Sequence, residues 1–310
     1  MGVVTGEGRE ARNVVSDKKK MWRGGGWAAL LIVWVVWGST YLAIKVGVES
    51  MPPLLMAGAR FAIAGLIMFP FALRGGSRPQ PAEWLGCGIT GVLMLGANAA
   101  LSYAEKTVPS GLASLLIATV PLFMLGFDAV LNRVRLGWAP LLGLVVGLCG
   151  VGFLSGSDRG RVSVAGVVIC LCAAACWALG TILTRRVTTP ASPALGSSMQ
   201  MIVAGAVLLA AAAVSGEAGS FQFAAVSGRS WLAFVYLIFI GSIVAFSAYV
   251  VAVRALPTAT VATYAYVNPV IAVLLGTAIL GERLSASMLL GGALIVSAVV
   301  LVVRQSPPSH

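Results

Sequence analysis

Ten apolar stretches, each close to the length needed to cross a lipid bilayer, constrain this chain more than any other feature. The hydrocarbon core of a bilayer is about 30 Å thick and requires roughly 20 apolar residues per helix. Only 10% of the residues are charged, against about 25% in soluble domains. The sequence therefore predicts an all-α integral membrane protein with ten transmembrane helices. The stretches cover 27–46, 53–73, 83–104, 109–130, 137–155, 164–184, 193–214, 231–253, 257–280 and 285–303.

The positive charge of the chain is placed as in membrane proteins, not as in nucleic-acid-binding proteins. The formal net charge is +11, and the basic residues lie mainly in short connections and in the tails. Grouped by predicted side, 14 Lys and Arg residues share the side of both termini and 6 lie on the other side. Because cytoplasmic loops are enriched in Lys and Arg, we expect both termini in the cytoplasm and no nucleic-acid partner. The loop 156–163, with its two Arg residues, runs against this assignment. Residues 1–26 are predicted to be a disordered cytoplasmic tail, and 304–310 a second tail.

Neither the cysteines nor the single histidine indicate a cofactor or a metal site. The five Cys residues fall within predicted helices and are odd in number, so no disulfide framework is indicated. Cys172 and Cys176 are one helical turn apart, which is compatible with a metal but is more typical of small residues between packed helices. The only histidine, His310, is the last residue. No ATP-binding loop of the G-x-x-x-x-G-K-[ST] type is present, which argues against direct use of ATP.

The chain contains an internal repeat, with an offset of 140 residues that drifts to 147–148. The matched residues include Trp37 with Trp177, Lys45 with Arg185, Arg60 with Gln200, Gly65 with Gly205, and Pro121 with Pro269. The repeats cover 27–155 and 164–303, with five predicted helices each. Because five is odd, the second repeat enters the membrane from the opposite side. Inverted repeats recur in secondary transporters, where the substrate site lies near the midplane between the two halves.

Several motifs resemble the EamA family of the drug/metabolite transporter superfamily. They are WGSTYLAIKVG at 37–47, PPLLMAGARFAIAG at 52–65 and GERLS at 281–285. The resemblance implies a ten-helix exporter of small metabolites, including amino acids, in a bacterial inner membrane. It also implies a central cavity lined by the first four helices of each repeat, with 137–155 and 285–303 at the periphery. The first repeat has NRVRL at 132–136 where the second has GERL, so a capping role for Glu282 is not duplicated.

The first predicted helix carries a polar and aromatic face. At 100° per residue, Trp34, Trp37, Gly38, Tyr41 and Lys45 fall within one sector of about 100°. Polar faces of membrane helices turn toward the bundle interior or a wet cavity. The two Trp residues are too deep in the helix for an interfacial aromatic belt, which is the alternative interpretation. We therefore predict that this face lines a cavity, with Gly38 as a notch, whereas Lys45 also suits snorkelling to the surface.

A basic residue within the second predicted helix is a candidate for binding a carboxylate. Arg60 lies seven residues past Pro53, or roughly 10 Å along the helix. Snorkelling to the surface and facing the cavity are equally compatible with that depth. Its repeat mate Gln200 is also polar, which favours the inward orientation. Trp177, the mate of Trp37, is a candidate by the same symmetry.

Two prolines and several hydrogen-bonding residues complete the candidate site. Pro121 and Pro269 each remove a helix hydrogen bond and are predicted to break equivalent helices, for gating or only for packing. Asn98 and Ser102, one turn apart, form a polar stripe on the third helix. Tyr264 and Asn268 lie shortly before Pro269. Each of these residues is also compatible with hydrogen bonding between neighbouring helices.

The absence of deep carboxylates bears on the substrate. None of the ten Asp and Glu residues falls in the central third of a predicted helix. Such a carboxylate would be expected in a pump of cationic drugs or in a carboxylate proton relay. We therefore expect a secondary transporter that exports an amino acid or a related carboxylate by alternating access. A multidrug exporter of organic cations is the second hypothesis and a passive channel the third. An enzyme is not expected, since no nucleophile–base pair or metal cluster is evident. The sequence leaves energy coupling and oligomeric state open.

Overall fold

The structure is a computed structural model and consists of helices packed into one bundle. It describes residues 7–74, 78–131, 163–256, 258–261 and 263–305, with 138, 142–143, 145–147 and 149–150. The helices are α1 Glu7–Gly47, α2 Pro53–Leu73, α3 Pro81–Ala104, α4 Ser110–Ile117, α5 Val120–Leu131, α6 Val164–Leu183, α7 Pro193–Val214, α8 Gly228–Tyr236, α9 Ala245–Ala255, α10 Tyr264–Leu280 and α11 Ala286–Gln305. A π-helical segment, Leu237–Val244, joins α8 to α9. No strand occurs within these ranges.

Seven helical segments of the described part of the chain are long and apolar enough to cross a membrane. They are Gly25–Gly47, Pro53–Leu73, Pro81–Ala104, Ser110–Leu131, Val164–Leu183, Pro193–Val214 and Gly228–Ala252. Shorter apolar helices cover Tyr264–Leu280 and Ala286–Ala298, where the ninth and tenth spans are predicted. The predicted fifth span, 137–155, lies mostly outside the described residues. α1 begins at Glu7, so the structure is helical in part of the segment predicted to be a disordered tail. The chain is therefore an all-helical, multi-pass membrane protein.

Proline and serine residues set the starts of several helices. Pro53, Pro81 and Pro193 occupy the first turns of α2, α3 and α7, where the missing amide hydrogen costs nothing and the fixed φ suits a helix. Ser163 and Ser227 cap α6 and α8, and their side chains accept hydrogen bonds from main-chain amides three residues later. Short connections between such starts keep the helices in one bundle.

The helix pairs cross the two halves of the chain. α2 packs along α7, α3 along α6 and α7, and α1 along α9 and α10, while α4 contacts α10. Glycine permits the closest approach: a Cβ on Gly205 would lie 2.5 Å from the main-chain nitrogen of Ala62, and one on Gly65 2.9 Å from that of Ile202. Small residues let membrane helices pack backbone to backbone in this way. The repeat mates Gly65 and Gly205 therefore lie at the same crossing, between α2 and α7.

Three predicted spans are interrupted. The predicted helix 109–130 is divided into α4 and α5 at 118–119, because Pro121 cannot donate to the carbonyl four residues earlier. The predicted helix 257–280 has a short turn, Thr258–Val261, before α10 begins at Tyr264. Pro269 lies inside α10 and is buried, one and a half turns after that interruption. The predicted helix 231–253 contains the π segment. Pro121 thus follows the break between α4 and α5, whereas α10 continues through Pro269 and, contrary to the prediction, does not break there.

Candidate functional site

Arg60 is a buried charged residue on α2. The residue is only 3% exposed. Its Nε donates to the hydroxyl of Ser242 at 2.9 Å and its Nη1 donates to Oδ1 of Asn98 at 3.3 Å. The guanidinium carbon also lies 4.8 Å from the centre of the Phe61 ring. Arg60 therefore faces the interior, and the structure places it beside Asn98, another of the predicted site residues.

The π segment, Leu237–Val244, packs beside Arg60. Gly241 and Ser242 are both buried, and a Cβ on Gly241 would lie 3.4 Å from Nη2 of Arg60 and 3.0 Å from Cγ2 of Thr40. A guanidinium has five N–H donors, and within the described residues it uses two. π-helical insertions occur frequently at functional sites because they shift side chains out of the regular register. Here the shift leaves a glycine beside the remaining donors of Arg60.

Trp37 and three other aromatic residues form a cluster. Its ring centre lies 5.4 Å from that of Phe246, 5.3 Å from that of Tyr249 and 5.3 Å from that of Tyr264. Tyr249 and Tyr264 are 6.1 Å apart and nearly perpendicular, a favoured arrangement for aromatic pairs. We call these four residues the Trp37 cluster. It joins α1, α9 and α10, and it brings together the predicted site residues Trp37 and Tyr264.

The α1–α10 crossing holds three more predicted site residues. A Cβ on Gly38 would lie 2.7 Å from Cβ of Ile271 and 3.2 Å from the main-chain oxygen of Asn268, so the predicted notch receives α10. The amide of Asn268, oriented by its acceptors, donates to the carbonyls of Tyr264 at 3.2 Å and Trp34 at 3.1 Å. Within the described residues Nε1 of Trp34 is buried without a hydrogen-bond partner. In this conformation Asn268 therefore fastens α10 to α1.

Ser102 and Tyr41, two more of the predicted site residues, pack within the bundle. Ser102 is buried, and its hydroxyl donates to the Asn98 carbonyl at 2.9 Å within α3. Tyr41 packs against the main hydrophobic core and interacts electrostatically with Glu105 and Tyr264. The hydroxyl of Ser39 on α1 forms a hydrogen bond of 2.6 Å with the hydroxyl of Tyr236. α1 thus places polar groups against the helix that carries the π segment.

Two candidates lie apart from this group. Nε2 of Gln200 donates to the hydroxyl of Thr90 at 2.9 Å, at the crossing of α7 and α3. Trp177 is half-buried on α6, and its carbonyl accepts from the Thr181 hydroxyl at 2.8 Å. Within the described residues no ring contact joins Trp177 to the Trp37 cluster. Trp37 and Trp177 therefore differ in their ring contacts among the described residues, although they match in the repeat.

One end of the bundle is closed by polar contacts from both halves. Glu282 accepts from the amides of Ser110 and Gly111 at 2.7 and 3.1 Å and from the Ser110 hydroxyl at 2.9 Å. Glu217 accepts from the amides of Leu54 and Leu55 at 2.9 and 3.1 Å. Negative charge at helix N-termini is stabilising. We call this end, formed by 45–55, 105–111, 217–230 and 276–282, the capped end.

The capped end contains Lys45, which does not snorkel freely. Its ammonium donates to the main-chain carbonyls of Glu105 and Val108, the latter at 3.2 Å. Ser230 adds a hydroxyl hydrogen bond to the Val46 carbonyl at 2.8 Å. α1 is therefore held to both halves where it ends.

Sequence reasoning missed several of these residues. Ser242, Gly241, Phe246 and Tyr249 belong to an apolar stretch that reads as a continuous helix. The signal that could have found them was the pair Gly241-Ser242, a small and a polar residue within the otherwise apolar stretch YLIFIGSIVAF. A metal site is not indicated: no group of three His, Cys, Asp or Glu side chains is placed to hold an ion in the part of the chain that the structure describes.

Comparison with known proteins agrees with the helical architecture. The EamA-like transporter family matches residues 24–156 and 164–304. The chain belongs to this family. Two matched segments of one family correspond to the two halves that the internal repeat delimits, and the family is one of transporters.

Curated relatives align over most of their length. The chain is 39% identical over 280 residues to the uncharacterized inner membrane transporter YedA of Escherichia coli, covering 88% of this chain and 89% of the relative. It is 31% identical over 285 residues to a probable amino-acid metabolite efflux pump of Salmonella typhimurium, covering 89% and 94%. One crystal structure, at 23% identity, covers 91% of this chain and 96% of that chain with a TM-score of 0.60. That last likeness supports the fold alone.

Proposed function

We propose that this EamA-like protein is a secondary transporter of the bacterial inner membrane that exports an amino acid or a related carboxylate. Transport proceeds by alternating access between two inverted five-helix repeats, with both termini in the cytoplasm. Arg60 binds the substrate carboxylate, and the Trp37 cluster contacts the apolar part of the substrate.

The direction of the helices supports inverted repeats. α1 ends at the capped end, whereas α6, the first helix of the second half, begins beside it: a Cβ on Gly166 would lie 2.5 Å from Cγ2 of Val108. The contacts between helices are also related by the repeat. The contact of α1 with α9 corresponds to that of α6 with α3, and the contact of α2 with α7 corresponds to itself. This pattern is expected for two halves related by an axis in the membrane plane.

The observation that carries the substrate class is the uncompensated charge of Arg60. Its two hydrogen bonds within the described residues both go to neutral groups, Ser242 and Asn98. A buried charge is costly unless it is paired, and ionisable groups inside membrane proteins commonly mark substrate paths. The remaining guanidinium donors suit the two oxygens of a carboxylate, which arginine binds in a bidentate manner. The Salmonella relative, named as a probable amino-acid metabolite efflux pump, supports the same class.

Export of organic cations remains the second candidate because of one specific observation. Trp37, Tyr249 and Tyr264 bring three electron-rich rings within about 6 Å of one another, and such rings attract cations. Arg60 opposes this function, since a positive charge in the same part of the bundle repels a cationic substrate.

Efflux from proteoliposomes separates these functions. Vesicles containing the purified full chain are loaded with amino acids, with their methyl esters, or with quaternary ammonium compounds. We expect efflux of the free amino acids, with the esters slower by at least about tenfold, because a lost charge-assisted contact of about 1.5–3 kcal/mol corresponds to that factor or more. Single-channel recording on the same protein tests for a passive channel.

Arg60→Gln is the diagnostic variant, with Gln200→Ala as its control at the matching position of the other half. We expect Arg60→Gln to abolish the preference for the free acid and Gln200→Ala to keep it. Equal efflux of acid and ester by the wild type would exclude the carboxylate site. Efflux of quaternary ammonium compounds alone would favour the cation exporter instead.

A further inference from the structure

Glu105 is a buried carboxylate that the substrate site does not use. It is the first residue after the span Pro81–Ala104, and it is 0% exposed. Both carboxylate oxygens are buried, and neither has a hydrogen-bond partner among the described residues. Burying an ionised carboxylate without hydrogen bonds is strongly unfavourable, and such a group takes up a proton instead.

Four charged or titratable groups, from three elements near Glu105, interact with it electrostatically. α1 contributes Tyr41 and Lys45, α6 contributes Cys170, and the segment after α10 contributes Glu282. Lys45 directs its hydrogen bonds to main-chain carbonyls, and Glu282 directs its oxygens to Ser110 and Gly111. Burial raises the pKa of the Glu105 carboxyl well above its ordinary value, Lys45 opposes that rise and Glu282 adds to it.

These contacts assign a second role to the capped end. We propose that Glu105 is a proton-binding site, and that closing the capped end places a proton from the adjoining water on its carboxylate. Opening returns the proton to water on the same side, so that the acidity of that compartment biases the conformation of the transporter. This inference rests on the proposed alternating access, since it requires the capped end to open.

The sign of the pH effect follows from linkage. In the open state Glu105 is in water and titrates near the ordinary glutamate pKa of about 4.3. In the closed state its pKa is higher, so acid favours closure. Between the two pKa values the ratio of closed to open molecules falls about tenfold for each unit of increasing pH. Above the higher pKa both states are ionised and the ratio no longer changes.

Infrared spectroscopy of the purified full chain tests the proton itself. A protonated carboxylic acid has a carbonyl stretch that an ionised carboxylate lacks. We expect the wild type to retain such a band at about pH 7, where ordinary carboxyls are ionised. Glu105→Gln removes the band, and Glu49→Gln, which changes an exposed glutamate near the same end, keeps it. Absence of the band in the wild type, or its persistence in Glu105→Gln, would overturn the proposal.

A native thiol reports the opening. Cys170 is buried beside Glu105, and Cys87 is buried on α3 beside Glu83, at the opposite end of the bundle. Maleimide labelling with peptide-level mass spectrometry gives the rate at each thiol without substrate. Between about pH 5 and pH 8, we expect the ratio of Cys170 to Cys87 labelling to rise more steeply in the wild type than in Glu105→Gln. Equal slopes would show that opening of the capped end is not linked to protonation of Glu105.

The two proposals fail separately. If amino-acid efflux is absent but both Glu105 responses occur, the substrate is wrong and the proton site stands. If efflux occurs as expected but the infrared band does not depend on Glu105, the proton site is wrong and the exporter stands.

Discussion

Arg60 and Gln200, at matching positions of the two halves, each donate a hydrogen bond of 2.9 Å to a hydroxyl of the other half. The acceptor of Arg60 is Ser242 in the π segment, and that of Gln200 is Thr90 on α3. Both acceptors belong to the third span of their half. The contact geometry is therefore shared while the charge is not, which places the proposed carboxylate site on the Arg60 side of the bundle.

A double-mutant cycle tests the energy of the Arg60 contact. We expect Ser242→Ala and Arg60→Gln to be coupled by about 1.5–3 kcal/mol, the range for hydrogen bonds to charged groups. The matching pair, Gln200→Ala with Thr90→Ala, is neutral and should be coupled by about 0.5–1.5 kcal/mol. Thermal unfolding in detergent measures both cycles. Additive effects at Arg60 and Ser242 would contradict the contact.

The helical architecture was predictable because it depends on local composition. The length of each apolar stretch and the prolines at 53 and 193 are enough to place α2 and α7. The pairing of Gly65 with Gly205 was also visible from the repeat, although its meaning, a backbone contact between α2 and α7, required the structure.

The surroundings of the site were less predictable, for physical reasons. The π segment depends on hydrogen-bond register inside a uniformly apolar stretch, and apolar periodicity does not report a register shift of one residue. Glu105 follows the last residue of α3, and at a helix end exposure is the ordinary expectation for a carboxylate. It is nevertheless fully buried, with Tyr41 and Lys45 of α1 and Cys170 of α6 near it, and these residues are distant from it in the sequence. Trp177 follows the repeat in sequence, but within the described residues it makes no ring contact with the Trp37 cluster, so symmetry alone assigned it to the site.

Glu282 stabilises the N-terminus of α4 from the other half of the chain. Glu282→Ala leaves the amides of Ser110 and Gly111 without their acceptor, and we expect a loss of about 1–3 kcal/mol. Glu282→Gln keeps one acceptor oxygen and should lose less. Thermal unfolding is the measurement, and Glu49→Ala is the control because Glu49 is exposed. The capping role is rejected if Glu282→Ala and Glu49→Ala unfold at the same temperature.

The Trp37 cluster should respond to ring removal more than to ring replacement. Trp37→Ala removes three ring contacts and should cost about 3–5 kcal/mol. Trp37→Phe retains part of them and should cost less. Trp27, which is 52% exposed on the same helix, is the matched control, and Trp27→Ala should change stability by about 0.5 kcal/mol or less. Equal losses for Trp27→Ala and Trp37→Ala would show that the cluster is not a packed unit.

Gly38 and Gly96 give opposite expectations for the same substitution. A Cβ on Gly38 would lie 2.7 Å from Cβ of Ile271, whereas one on Gly96 would meet nothing within 4 Å. Gly38→Ala must push α1 and α10 apart, and overpacking of this kind costs about 1–3 kcal/mol. Gly96→Ala should stabilise α3 by about 0.5–1 kcal/mol, because alanine is the better helix former.

Thermal unfolding and amino-acid efflux of both variants check this pair. We expect Gly38→Ala to unfold at a lower temperature and to export more slowly, because moving α10 also disturbs the hydrogen bond from Asn268 to the Trp34 carbonyl. Gly96→Ala should unfold at a higher temperature and export at the wild-type rate. If Gly38→Ala is as stable as Gly96→Ala, the two helices do not meet at Gly38, and the proposed placement of Asn268 and the Trp37 cluster against α1 fails with it.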